Sequence, residues 1–287
     1  MSRISAFRFT VGSGPLLFLI GVCLLPYACT HEESGALPGS KEGAAGPVTG
    51  KFAFPGEKLN GLRDNATRAV QLKGDRPIGW SISPADPMGL AAAFGGLRLK
   101  KGFVLRAYDY NGRFEGRAVV WAMPDESELP APDQCPKVEL KGIAGEVPKP
   151  PAALDDFTDL IEGDGSPWSY LCASVMIREL KEMRPFWHAQ NWATHAILGQ
   201  NPWEPGSPKV ESVGHAINPR REWRWDETEP RSWQPTVRVE KDKITVTFYT
   251  FTAYMGQICR HVDTFKPGSY RFQTRVEAVA YCGGFKF

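Results

Sequence analysis

The chain has 287 residues, 42% apolar and 23% charged, enough for one large or two small folded bodies with an ordinary core. Its first 28 residues carry two arginines, Arg3 and Arg8, and no acid, so the 34 basic and 32 acidic groups of the whole become 32 and 32 beyond them. That neutrality argues against nucleic acid or an anionic membrane face as the main partner, since both need clustered excess positive charge.

Residues 1–28 read as a signal peptide or membrane anchor. Arg3 and Arg8 precede an apolar run, Pro15 to Leu25, that ends at Pro26-Tyr27-Ala28-Cys29, the arrangement of a basic start, an apolar core and a small residue at a cut. Ala28-Cys29 resembles the lipobox of bacterial lipoproteins, which implies lipidation of Cys29; Pro26 and Tyr27 depart from that pattern. Cleavage at Ser34-Gly35-Ala36 and an uncleaved anchor over Phe9–Cys29 are the alternatives. Residues 29–50 follow as a flexible tether, rich in Gly, Ala, Ser and Pro without apolar periodicity, too polar to offset the entropy of ordering. All three routes imply an extracytoplasmic, membrane-tethered or exported body, in the periplasm, at the outer membrane or on the cell surface.

The body, residues 51–287, is expected to be α+β: an antiparallel β-rich part with a C-terminal β-meander and two to three central helices. Residues 51–135 read as β-rich, with short strands from about Phe52 to Met123 and a hairpin around Asp109-Tyr110-Asn111-Gly112, because Asn-Gly accepts the positive φ of a tight turn. Residues 124–151 hold seven prolines and make a long surface connection. Residues 150–200 are helical: Leu154, Phe157, Leu160 and Ile161 recur at helical spacing, and Ser166 with Pro167 is an N-cap followed by a proline-compatible first turn. A third helix is expected over 186–198. Residues 236–285 alternate apolar and polar side chains and form the meander.

Export also frames the cysteines. Cys135, Cys172, Cys259 and Cys282 allow two disulfides in an oxidising compartment, with Cys259–Cys282 the preferred pair and Cys135–Cys172 the remainder. There is no C-x-x-C, G-x-S-x-G, H-E-x-x-H or Walker loop, so no cofactor is implied. Spacing argues against a metal held by His188 and His195, since seven helical residues rise about 10.5 Å. Gly163-Asp164-Gly165-Ser166 reads as a turn and helix cap rather than a phosphate loop.

Two patches carry the functional expectation. Trp187, His188, Asn191 and Trp192, with Trp223 and Trp225, belong to a segment between 168 and 233 that holds seven of the nine tryptophans; indole faces suit a glycan or a protein partner. His261 and Asp263 are two apart in a predicted strand and share a face, so with His195 they form a candidate base-and-orienter set. The leading expectation is a non-catalytic envelope protein that binds a partner or glycan through its Trp-rich centre. The alternative is a hydrolase of an envelope polymer that uses His195 or His261 as base and Asp263 as orienter.

Overall fold

A long antiparallel meander dominates the second half of the chain: β12 (Thr236–Val239), β13 (Ile244–Thr252), β14 (Gln257–Phe265) and β15 (Phe272–Tyr281) follow one another as neighbours. The computed structural model describes residues 49–71, 77–112, 114–140, 143, 145–187, 192–202, 224–226, 228–252 and 256–281. Alternation is clearest in β13. Ile244, Val246 and Phe248 are buried and point to one side, while Thr245, Thr247 and Tyr249 between them face the other, the period-2 signature of a sheet with two unlike faces. Short strands complete the sheet: β1 (Gly50–Ala53) pairs with β12, β11 (Arg224–Trp225) pairs with β15, and β10 (His195–Leu198) pairs with the far half of β13. One edge of β13 is therefore shared, Ile244–Thr247 with β12 and Tyr249–Thr252 with β10.

A second sheet runs β2 (Gly79–Ile82), β4 (Phe103–Asn111), β5 (Glu115–Pro124) and β9 (Phe186–Trp187). Its β4–β5 pair is the expected hairpin, but Asp109, Tyr110 and Asn111 continue the strand, and the chain turns only after Gly112, whose N–H donates to the Glu115 carbonyl at 2.7 Å. Residues Ala118 to Met123 of β5 are all buried, because both faces of this sheet are covered. The proline-rich connection covers one: Tyr108, Trp121, Cys135 and Val147 form a separate apolar cluster, the Tyr108 hydroxyl donates to the Pro130 carbonyl at 2.7 Å, and the Trp121 indole donates to the Pro148 carbonyl at 3.0 Å. Within that connection β6 (Lys137–Glu139) and β7 (Glu146–Pro148) make a small ladder.

Helices cover the other face. The helix α3 (Pro167–Lys181) starts where the sequence predicts, with the Ser166 hydroxyl accepting from the Ser169 N–H at 3.2 Å and Pro167 in the first turn. It is buried continuously from Ser169 to Ile177, as a helix enclosed on all sides must be. One apolar cluster joins Leu171, Val175 and Ile177 of α3 to Leu105 and Ala118 of the second sheet and to Val246 and Phe248 of the meander. The loop before it is the expected turn and cap. The Asp164 carboxylate accepts from the Ser166 N–H at 2.9 Å, and Gly163 has no room for a side chain, since a Cβ there would lie 2.3 Å from the Tyr270 hydroxyl.

Three expectations change. Residues expected as strands contain the helix α1 (Gly56–Val70), which buries Leu59, Ala66 and Val70, and a one-and-a-half-turn helix α2 (Pro87–Ala92), capped by the Asp86 carboxylate. Helix α1 was hidden because its cap residue, Pro55, makes no side-chain cap and its apolar stripe is sparse. The helix expected at Leu154–Ile161 is one 3-10 turn, Phe157–Leu160, leading into β8 (Ile161–Gly163), which pairs with β3 (Leu97–Leu99). The helix expected over 186–198 is instead β9, a 3-10 turn at Trp192–Thr194, and β10; backbone pairing with β5 and β13 satisfies its donors where helical bonds were expected. Among the described residues no helix is long and apolar enough to cross a membrane; residues 1–48, including the proposed leader and nearly all of the tether, lie outside the described residues.

Candidate functional site

Polar side chains interrupt the apolar inner face of the meander along one strip. On β13 the inward parity that carries Ile244, Val246 and Phe248 next delivers Thr250. On β14 the same parity delivers His261 opposite Phe248 and Asp263 opposite Val246. Strand β10 then sets His195 opposite Thr252, one inward position beyond Thr250. The strip thus depends on β10 occupying the half of the β13 edge that β12 leaves open.

Thr250 is its hub. Its hydroxyl oxygen lies 2.7 Å from His195 Nδ1 and 2.8 Å from His261 Nε2. A hydroxyl has a single proton, so it donates to one imidazole and accepts from the other. The His261 ring stacks on Phe248 at 4.7 Å and 4° and meets Trp192 and His195 edge to face. Its Nδ1 is buried and has no hydrogen-bond partner among the described residues. Burial, reinforced by the guanidiniums of Arg63 and then Arg178, lowers the His195 pKa to about 4. Burial, followed by Arg178, His195 and Arg63, lowers that of His261 to about 2. Both rings are neutral at pH 7.

The guanidiniums belong to the helices. Arg178 of α3 donates to both oxygens of Asp263, at 2.6 and 2.8 Å, to the Thr274 hydroxyl at 2.8 Å and to the Ser174 carbonyl at 2.7 Å. It also lies over the rings of Trp192, Phe248 and Phe272. Arg63 of α1 pairs with Glu179, donates to the His195 carbonyl and sits 4.6 Å from the centre of the Trp192 ring. Glu179 in turn accepts from the Trp192 indole at 2.7 Å. Trp192 is therefore clamped by two cations and a carboxylate, with a stacked contact to His195 at 5.7 Å.

Two of the three residues expected to carry catalysis, His195 and His261, meet on the Thr250 hydroxyl, while the third, Asp263, closes on Arg178. Asp263 orients no imidazole, because both its oxygens are taken by Arg178. Access is closed as well: Thr250 and Asp263 are 0% exposed and His261 is 2% exposed. Only His195 is half-buried. A base must reach the proton it removes, and the donors and acceptors of this strip face one another. Among the described residues, no group of three or more His, Cys, Asp or Glu could hold a metal ion.

The remaining expected residues are dispersed. Trp192 is 5% exposed, so its indole packs in the interior rather than offering a face to a ligand. Trp225 is half-buried and meets the buried Trp233 edge to face at 6.1 Å. The backbone of Trp187 pairs with Glu115; His188, Asn191 and Trp223 lie outside the described residues, as do Cys29 and Cys282, and Cys259, expected to pair with Cys282, is a free buried thiol. Cys135 and Cys172 form no bridge: both are free buried thiols, one in the cluster under the proline-rich connection and one in the core around α3. Burial raises the thiol pKa of Cys172 to about 12 and that of the free Cys259 to about 11, so both stay protonated and unreactive.

Arg178, Thr250, Arg63 and Glu179 were missed by sequence reasoning. Thr250 left a trace, a hydroxyl at the inward parity of an otherwise apolar strand. Arg178 left another, a cation inside a helix whose first ten positions are almost wholly apolar or small. Comparison of the chain with protein-family models, with curated proteins and with solved structures gives no match.

Proposed function

We propose that this chain is an exported envelope protein, tethered at its N-terminus through Cys29, whose α+β body acts by binding rather than by catalysis. The observation that carries the non-catalytic assignment is the closure of Asp263 on Arg178 beside a fully buried Thr250. A strip wired in this way fastens β10, β13, β14 and two helices to one another; it has neither a free orienting carboxylate nor an accessible nucleophile. The binding role falls to the surface and not to the buried indoles of Trp192 and Trp233. The basic start, the Ala28-Cys29 pair and the polar spacer support the address.

The competing proposal, a hydrolase of an envelope polymer, draws on one observation, the two imidazoles that converge on the Thr250 hydroxyl. The two proposals separate in one experiment. Full-length protein is incubated with isolated peptidoglycan sacculi and soluble fragments are measured against a His195→Ala variant. No His195-dependent release is expected, and release by the wild type that the variant loses would replace the binding role with catalysis. Fatty-acid labelling of wild type against Cys29→Ser tests the tether: the label is expected on the wild type only, and equal labelling would refute lipidation at that cysteine.

A further inference from the structure

The outward face of the meander differs from its inward face in kind. Where β1, β12 and β13 lie side by side, it forms an open trough of about 540 Å³, within the size range of ligand clefts. Among the described residues, four cations line it, Lys51, Arg231, Arg238 and Lys243, against one carboxylate, Glu240. Glu240 is shared, with Arg238 at 3.1 Å and Lys243 at 3.4 Å, so the trough keeps an excess of three positive charges in a body that is neutral as a whole. Its floor is hydroxylic. Thr236 and Thr247 are direct cross-strand partners, and Thr245, Thr247 and Tyr249 stand at successive outward positions of β13, about 6.8 Å apart along the strand.

We propose that this trough is the recognition surface of the protein and that its ligand is an anionic polysaccharide bearing carboxylate groups along a hydroxylated chain. The inference rests on the binding role above and names its site and ligand class. Charge complementarity supplies the anion, since three uncompensated cations attract a polyanion and repel a polycation. The hydroxyl rows supply the sugar, since each threonine can both donate to and accept from a ring hydroxyl. A single-stranded nucleic acid meets the charge but not the floor, because sequence-tolerant strands are held by several stacked aromatic rings, and among the described residues Tyr249 is the one aromatic side chain lining this trough.

The test is titration of the full-length protein, in detergent micelles, with oligogalacturonate, neutral dextran and oligothymidylate as probes. Oligogalacturonate is expected to bind, with affinity that falls as salt is raised and charges are screened, and dextran is expected not to. Replacing the exposed Lys51 and Arg231 together by glutamine is expected to weaken oligogalacturonate about tenfold and to flatten the salt dependence. The variant Thr245→Val/Thr247→Val keeps every charge and is expected to weaken it about threefold to tenfold. No binding of oligogalacturonate, binding unchanged in the glutamine variant, binding unchanged in the valine variant, or tighter binding of oligothymidylate would each overturn the assignment. Shortening of the oligogalacturonate during titration would refute the non-catalytic role and leave the trough as the binding site, so the two failures are distinct.

Discussion

Two arginines near the end of α3 each close on a buried aspartate, and they do so by different means. Arg178 lies inside the helix and reaches Asp263 of the meander with two hydrogen bonds, while aromatic rings bracket its guanidinium. Arg184 lies beyond the helix, at φ +53°, and reaches Asp109 of the second sheet. Helix α3 and its exit thus bind the two sheets through one relaxed and one strained pair. The relaxed pair is built from repeating geometry. The strained one requires a backbone conformation that costs a side-chain-bearing residue about 1–2 kcal/mol, and the ion pair holds it there.

The largest effect is expected where a charge would be stranded. Asp263→Ala leaves Arg178 in the interior facing two neutral imidazoles, and urea denaturation is expected to show a loss of about 3–5 kcal/mol; a loss below about 1 kcal/mol would mean that the guanidinium escapes to solvent. Asp109→Ala removes the ion pair of Arg184 and relaxes the hold on its left-handed backbone, so a smaller loss of about 2–4 kcal/mol is expected in the same assay. Reversal of that order would show that strain at Arg184 is not stored.

Acid sensitivity should enter through the two imidazoles beside the first pair. His195 and His261 have pKa values lowered to about 4 and about 2, so the unfolded chain binds their protons first. Their contribution is complete above about pH 6.5 and is lost as pH falls from there toward 4. His261→Phe, which preserves the stack on Phe248, is expected to reduce the slope of stability against pH in that window by about 1.4 kcal/mol per pH unit. An equal slope in wild type and His261→Phe would refute the titration.

Smaller effects sharpen the contrast. At an ordinary helical position glycine is worse than alanine, but Arg184→Gly is expected to be about 1 kcal/mol more stable than Arg184→Ala, because only glycine accepts this φ without cost. Equal stability would remove strain from the account. Ser174 has a buried hydroxyl with no partner among the described residues, and Ser174→Ala is expected to gain about 0.5–1 kcal/mol by thermal denaturation; a loss would indicate that the hydroxyl is satisfied.

The sequence showed the meander and α3 because each has a local cause. Alternation sorts Val246 from Thr247 without reference to the rest of the fold, and Ser166-Pro167 starts a helix from within. The inward pairing of His261 with Asp263 was legible for the same reason. Helix α1 was not, since Leu59, Ala66 and Val70 are too few to announce a helix before the sheet that buries them is known. The meeting of His195 with His261 was illegible in a stricter sense: it requires β10 to fill half an edge of β13 and α3 to cross that face, and neither contact is encoded near the residues involved. Asp263 shows the cost of reading a pair in isolation, because a better partner, Arg178, came from another element.

The shared edge of β13 has a consequence for how such a chain can change. Leu198 leaves the edge opposite Tyr249 and Thr236 returns opposite Thr247, so the stretch between them departs and re-enters at points about 7 Å apart along one strand. Among the described residues of that stretch, Arg224–Trp225 joins a ladder, with β15. Both ends are held by their own ladders, so the register of every strand that bears on Thr250 is set by pairings outside that stretch. The fold thus contains a natural splice point, where a cassette of new sequence could be accepted, lengthened or exchanged while the scaffold beneath it is inherited intact.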